Sequence, residues 1–408
     1  MSNINKNTLY VLSTFLKFLG TFFLQILTVR FFGVDQYGAL ITLAAIPLFI
    51  SNFSSMVGAE KMVDHLKQYE KPALSAANTI IYPLLKIELK IQLILIPFAI
   101  LFIFFTGDEY LSDLNEIILA LIFIIYALSH ILIQAFLNLY LLSKKIVTLS
   151  IIQIIEPLII VCGFLLMKEI GILAFLIIQI VKNFLMLCFF FIDNKIFIKT
   201  KGKKQLPHRK HQKTSLLVKS IWSNLDVLAV GSLSSNAFVA EYRILKSFSS
   251  IFGILVLPIW NLVKPDIIKN FAKKRILIIR KIVYKNSFLI TVFSLIIMMG
   301  LYFYIEQIVF ELFDHTLSQS GGNIFLALCI SAILTSALTG WGRFLQNLAP
   351  NFEISLKASI CNLFFLVISI PLKYFLNFEI PYTLCIGFLF SVLIIWYWFR
   401  FDFKTQLG

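Results

Sequence analysis

Charge is what this sequence has least of. Of its 408 residues only 14% are charged while 59% are hydrophobic, and the mean hydropathy is +0.89. A soluble chain carries about 25% charged and about 45–50% apolar residues, so a water-soluble globular protein is excluded. Cysteine is scarce too. Cys162, Cys188, Cys329, Cys361 and Cys385 all lie inside apolar runs, with no CxxC or Cys/His spacing; a disulfide scaffold and a zinc site are excluded, and the thiols read as packing residues. GxSxG, HExxH and phosphate-loop motifs are missing,. The longest polar break, 193–214, is too short to fold as a catalytic domain, and nothing resembles an ion-channel filter. Neither an enzyme, a metal nor a cofactor is expected.

What is present is a series of apolar runs of about 20 residues, the length a helix needs to cross the hydrocarbon. Alternating segments of about 10 residues, the mark of a membrane β-barrel, are not seen. The spacing predicts an all-α integral membrane protein of about twelve transmembrane helices. The spans fall near 9–32, 38–58, 87–106, 114–142, 147–167, 171–192, 215–234, 240–263, 284–305, 323–346, 352–373 and 381–401. Pro47, Pro97, Pro157 and Pro258 fall inside spans and are expected to kink them,. The first run lacks a small-residue cleavage site, so no cleavable signal peptide is expected.

The net charge of +15 would suit nucleic acid, but the cations cluster in loops beside membrane helices. There they set orientation and touch anionic lipid, and nucleic acid is not an expected partner. Even-numbered breaks are basic: Lys61, Lys67, Lys71, Lys86 and Lys90; then Lys144 and Lys145; then 193–214; then Lys264, Lys269, Lys273, Lys274, Arg275, Arg280, Lys281 and Lys285. The odd breaks 107–113 and 306–322 carry Asp108, Glu109, Asp113, Glu306, Glu311 and Asp314 with no basic residue. Lys168 and Lys373 are the exceptions on that side. Basic loops stay in the cytoplasm, which puts both termini inside and makes the number of spans even. Residues 265–282 interleave apolar residues with Lys and Arg and predict an amphipathic helix lying on an anionic leaflet, as 59–72 does,.

The basic break divides the chain into an N-terminal six-helix lobe, 1–193, a cytoplasmic linker, 194–214, and a C-terminal six-helix lobe, 215–408. The two halves echo one another. LTVRFFGVDQYGAL and, about 205 residues later, LAVGSLSSNAFVAEYRIL each end a helix in a small polar turn before Tyr37 or Tyr242. Transporters are often built from such repeats.

Ionisable residues inside spans are costly and mark functional positions. Lys17 lies mid-span, with Ser13, Thr21 and Thr28 at helical spacing, and Arg30 near the outer end,. Span seven carries Lys219, Ser223 and Asp226; span eight carries Arg243, Lys246, Ser247 and Ser250. Span ten carries Ser331, Thr335 and Thr339, with Arg343 towards the inner end; span four carries His130, Gln134 and Asn138, and span five carries Glu156 beside Pro157. Cations with hydroxyl neighbours make a lining for an anionic, hydroxyl-rich substrate, because a diphosphate needs cations and sugars need hydroxyl and amide partners. The binding candidates are therefore Lys17, Arg243 and Lys246, then Arg30, Lys219 and Arg343. Arg30, Arg243 and Arg343 also suit snorkelling to headgroups. Asp226, Glu156 and His130 are candidates for ion coupling or simple pairing, Asp226 with Lys219 or Arg243.

Four features resemble the polysaccharide-exporting flippases, the Wzx-like branch of the multidrug/oligosaccharidyl-lipid/polysaccharide (MOP) superfamily. These are the turn FFGVDQYGAL before span two; SNLDVLAVGSLSSNAFVAEYRILKSF across spans seven and eight; the small-polar starts SKKIVTLSIIQIIEP and NFEISLKASICN of spans five and eleven; and the six-plus-six layout. Asp226, Glu241 and Tyr242 match that pattern, while Ala240 stands where glycine is customary. The resemblance implies a MATE-like fold whose two lobes enclose a cationic cavity. It implies a flippase moving an undecaprenyl-diphosphate-linked oligosaccharide, of O-antigen, lipooligosaccharide or capsule type, to the periplasmic leaflet of a bacterial inner membrane by alternating access. Its implied partners are membrane lipids, a polysaccharide polymerase and chain-length machinery. The rival readings are a cation-coupled multidrug exporter of the same fold, a peptidoglycan-precursor flippase, which typically has two more spans, and a membrane polymerase or glycosyltransferase.

The charge asymmetry is checked by reporter fusions. Fusions at 200–210 and 270–280 are expected to report cytoplasm, and fusions at 108–112 and 315–320 periplasm; a periplasmic signal from 200–210 would reverse the orientation.

Overall fold

The structure is a computed structural model. It describes residues 6–42, 44–45, 97, 121–122, 124–126, 128–130, 133, 146–170, 173–194, 226–227, 229–231, 233–273, 275–348 and 352–401. The chain divides into two compact units, residues 1–210 and 211–408. Among the described residues all regular structure is helical. Five helices there are long and apolar enough to cross a membrane: Thr8–Phe32, Val147–Met167, Ile276–Phe313, Leu356–Leu376 and Ile380–Phe401. Spans two, three, four and seven, and the 59–72 segment, fall largely outside the described residues.

In the first unit, α1 (Lys6–Phe32) packs on α2 (Ile146–Met167), which is followed by α3 (Ala174–Asn194). Gly33 ends α1 at φ 83°, a left-handed conformation that costs glycine nothing,. Its N–H bonds Val29 O at 2.8 Å, and its carbonyl accepts from Tyr37 N at 3.2 Å. One residue thus closes one helix and starts the helical stretch 34–42, where the sequence had placed a small polar turn. Leu24, Ile160, Phe164, Ala174 and Ile178 form the apolar core of the α1–α2–α3 packing. Gly20 of α1 meets Pro157 of α2, with no room for a Cβ on Gly20. Small residues let backbones approach in lipid, where no hydrophobic force drives helices together.

The second unit holds α4 (Asn236–Ala272), α5 (Ile276–Phe313), α6 (Gly321–Leu348), α7 (Phe352–Leu376) and α8 (Ile380–Phe401). α4 and α5 correct the sequence reading. Their 37 and 38 residues run about 55 Å each at helical rise, well beyond a hydrocarbon core of about 30 Å. The expected surface helix over 265–282 is not a separate element. The chain breaks near 273–275, so its first half extends α4 and its second half opens α5. The reason is burial: Ile267, Ile279 and Val283 join Trp260, Ile354, Trp398 and Phe399 in one protein core. Arg280 is committed there as well. Its Nη2 donates to Phe399 O at 2.8 Å and Arg400 O at 2.6 Å, capping the end of α8,.

Interhelical polar bonds supplement the apolar packing of this unit. Ser287 Oγ donates to Ala337 O at 2.8 Å, and Trp260 Nε1 to Ser336 O at 3.0 Å. α7 and α8 pack through stacked Phe365 and Phe390, 5.4 Å apart. Beside them a Cβ on Gly387 would sit 2.7 Å from Phe365 Cβ. Gly300 in α5 is the opposite case, with nothing within 4 Å of the same position. Gly387→Ala is expected to lower thermal stability in detergent by about 1–3 kcal/mol through overpacking. Gly300→Ala should be neutral or stabilising by up to about 1 kcal/mol; equal melting temperatures for the two variants would contradict the packing.

Candidate functional site

The polar centre of the first unit is built by three helices, each giving one ionisable residue near its middle. α1 gives Lys17, α2 gives Glu156 and α3 gives Lys182. Lys182 Nζ donates to Glu156 Oε1 at 2.9 Å, and both side chains are buried. Lys17 Nζ approaches Glu156 Oε2 at 2.7 Å, and Lys17 is 31% exposed. The Gly20–Pro157 contact lies one turn from Lys17 and next to Glu156, so the close helix approach sets the length of the ion pair. Among the described residues Glu156 is the single carboxylate within ion-pair distance of either lysine. Among the described residues two lysines therefore share one carboxylate, an excess of one cation in mid-helix.

Neutral polar groups continue the cluster. Ser13 Oγ donates to Gln153 Oε1 at 2.8 Å, and Asn183 Nδ2 donates to Ser129 Oγ at 2.8 Å. His130 follows Ser129, its ring 6.0 Å from that of Tyr126. Of the hydroxyls expected beside Lys17, Ser13 and Thr28 are buried, but Thr21 is exposed and bonds back to Lys17 O at 3.0 Å. The buried face of α1 runs Ser13, Lys17, Gly20, Leu24, Thr28. Arg30 is exposed at the far end of the helix. Gln134 and Asn138 lie outside the described residues.

Lys182 is the member that the sequence reading missed, together with Asn183. The signal was available. Gln179, Lys182 and Asn183 recur at i, i+3 and i+4 inside the apolar run AFLIIQIVKNFLMLCFFFI, the spacing that singled out the other positions.

In the second unit the buried carboxylate is Asp226. Tyr242 Oη donates to its Oδ2 at 2.6 Å, and Lys246 Nζ pairs with the same oxygen. Its Oδ1 is buried without a hydrogen-bond partner among the described residues. The sequence suggested Lys219 or Arg243 as its partner; the described partner is Lys246, one turn beyond Tyr242, and Arg243 makes no ion pair among the described residues. Lys219 and the side chains of Thr339 and Arg343 lie outside the described residues. Ser247 and Ser331 donate to the carbonyls of Arg243 and Ala327 in their own helices, and Thr335 to that of Ser331. Their oxygens can still accept a bond from a ligand.

Glu241, which the resemblance marked, has a structural task. It accepts bonds from Ser318 N at 2.8 Å and Ser318 Oγ at 2.6 Å, with His315 Nε2 at 3.5 Å. Gly321 is required beside it, since a Cβ there would stand 2.7 Å from Glu241 Oε1. The carboxylate thus ties the 314–320 turn to α4.

By sequence, no family model and no characterised protein matches the chain. By fold, solved structures match it over nearly its whole length. The lipid II flippase MurJ, inward closed, aligns with a TM-score of 0.67 at 17% identity, over 96% of this chain and 87% of that one. A mutant of the Vibrio cholerae MATE transporter VcmN aligns at 0.61 and 15%, over 98% and 97%. A MOP-superfamily transporter from Pyrococcus furiosus, described as having a binding pocket of reversed polarity, aligns at 0.63 and 12%, over 98% and 95%. The chain has the fold of the MOP-superfamily transporters. The all-α membrane architecture expected from the apolar runs, and the MATE-like fold that the resemblance implied, are found, and at these identities the likeness carries the fold and not the substrate.

The second-unit pair gives a stability test. Lys246→Met should destabilise by about 3 kcal/mol, the lower end for a broken buried pair because Lys246 is partly exposed. Adding Asp226→Asn should recover most of that loss in thermal melts. A double variant no more stable than Lys246→Met alone would dissolve the pair.

Proposed function

We propose that the chain is a flippase for a lipid-linked oligosaccharide whose headgroup is anionic, of the undecaprenyl-diphosphate class, and that it makes and breaks no covalent bond. The observation that carries this reading is the surplus cation of the first unit. A lysine in mid-membrane costs roughly 2.5–3.5 kcal/mol on the translocon scale. Glu156 can neutralise only one of the two. The more exposed Lys17 is then the group that gains most from a visiting anion, and a diphosphate supplies charge and acceptors together. The Ser13–Gln153 and Asn183–Ser129 bonds extend the polar character of the site. Arg243 and Lys246 on α4, with Arg30, Lys219 and Arg343 behind them, are proposed as further substrate cations.

The setting proposed for this activity is a bacterial inner membrane, with both termini cytoplasmic and alternating access by two lobes, 1–193 and 215–408, joined by the linker 194–214. O-antigen, lipooligosaccharide and capsule repeats all present this headgroup chemistry, and a polymerase with its chain-length machinery would receive the product. The MATE neighbours favour a second reading, a cation-coupled multidrug exporter. An exporter of cations is better served by an unpaired carboxylate, whereas Glu156 already has two lysines.

Two experiments test the proposal. Deleting the gene should leave the lipid-linked glycan made but stranded on the cytoplasmic leaflet; failure to assemble it at all would favour an enzyme. Lys17→Ala should abolish surface glycan at near-normal protein abundance, with partial recovery in Lys17→Arg. Wild-type glycan in both Lys17→Ala and Arg243→Ala would remove the cation assignment.

A further inference from the structure

We infer that Glu156 is a built-in counter-anion, which holds Lys17 when no substrate is bound and keeps Lys182 alone when Lys17 swings to an arriving anionic headgroup. This rests on the reading of Lys17 as a substrate cation and adds how that site is regulated.

The two halves of the triad are unequal. Lys182 and Glu156 are joined by an aligned hydrogen bond of 2.9 Å, with side chains 6% and 7% exposed. Lys17 meets the other carboxylate oxygen at 2.7 Å and is 31% exposed. Removing the only partner of a buried charge is severely unfavourable, because an orphan ion stays behind. Lys17 can leave without that penalty, since Glu156 keeps Lys182. The carboxylate itself is fixed, because Pro157 beside it packs on Gly20 with no slack. Lys17 is the movable member, an ammonium on a four-carbon stem with three donors to redirect.

Exchange also suits turnover. A diphosphate outbids a carboxylate for an ammonium through its larger charge and greater number of acceptors. When it departs, Lys17 returns to Glu156 and is never stranded in a low-dielectric bundle. The internal anion lowers apparent affinity by the fraction of time it holds Lys17, and it eases release by the same exchange.

The test is a double-mutant cycle on the full chain in nanodiscs, with farnesyl diphosphate as the probe and calorimetric titration as the readout. The four proteins are wild type, Glu156→Gln, Lys17→Gln and the double variant, each verified by size exclusion and thermal melting. Glu156→Gln should bind about tenfold tighter if Glu156 holds Lys17 roughly nine-tenths of the time. The gain should vanish in the Lys17→Gln background. A simple change in local charge would give the same gain in both backgrounds, and that result overturns the exchange. So does a Glu156→Gln protein that binds no tighter than wild type; in either case probe binding by wild type leaves the anion-site reading standing. Probe binding to neither wild type nor Glu156→Gln, both folded, removes that reading and the exchange with it. Should Glu156→Gln fail to fold, Glu156→Asp replaces it. One methylene shorter, it reaches Lys182 or Lys17 but not both, and should give a smaller gain that again requires Lys17; no gain there counts against the proposal.

Discussion

A charge inside a membrane helix must find its counter-charge within the protein, and the first unit is organised around that constraint. Water would satisfy Lys17, Glu156 and Lys182 individually; lipid satisfies none of them. The three helices that carry them are therefore bound to one arrangement. α1 and α2 must approach closely enough for Lys17 to reach Glu156, which a side chain at position 20 would prevent. α3 must present Lys182 to the same carboxylate, which Gly163 helps by letting α2 lie against Ile178. The apolar core of Leu24, Ile160, Phe164 and Ile178 is the packing consequence of this register.

The same constraint explains the two exceptions to the charge asymmetry of the loops. Lys373 pairs with Glu379 at 2.9 Å and donates to Asn377 Oδ1 at 3.1 Å across the α7–α8 turn, so little of its charge reaches the leaflet. Lys168 lies 4.7 Å from the Phe31 ring centroid, a cation–π contact that ties the end of α2 to the end of α1,. Orientation is set by basic groups free to meet the cytoplasmic surface.

Sequence alone conveyed what depends on local chemistry. Apolar runs gave the helices, and Lys17, Glu156 and Asp226 stood out because ions inside apolar runs are rare. Partnership was not legible, because it depends on which helix faces which. Asp226 selects Lys246, twenty residues away along the chain, and Glu241 turns out to hold a loop. The 265–282 segment misled for a related reason. An amphipathic stripe shows that one face is buried, but not whether lipid or protein buries it; here Trp398 and Phe399 of the last helix do.

The anionic cargo proposed above is consistent with the charges of each unit. In the first, two lysines meet one carboxylate. In the second, Lys246 matches Asp226, Glu241 is committed to Ser318, and Arg243 remains on the same helix without an ion pair among the described residues. Among the described residues each polar cluster thus carries one cation more than its available carboxylates. A site for cationic drugs needs the reverse, a carboxylate in excess, because the drug must supply the missing positive charge. Solvation sharpens the distinction. A surplus charge at mid-helix is tolerated only while water or a ligand reaches it, so the side chains left partly exposed, Lys17 and Lys246, are those through which an anion would be admitted. The carboxylates beneath them, at 7% and 8% exposure, are shielded from any cation that might compete.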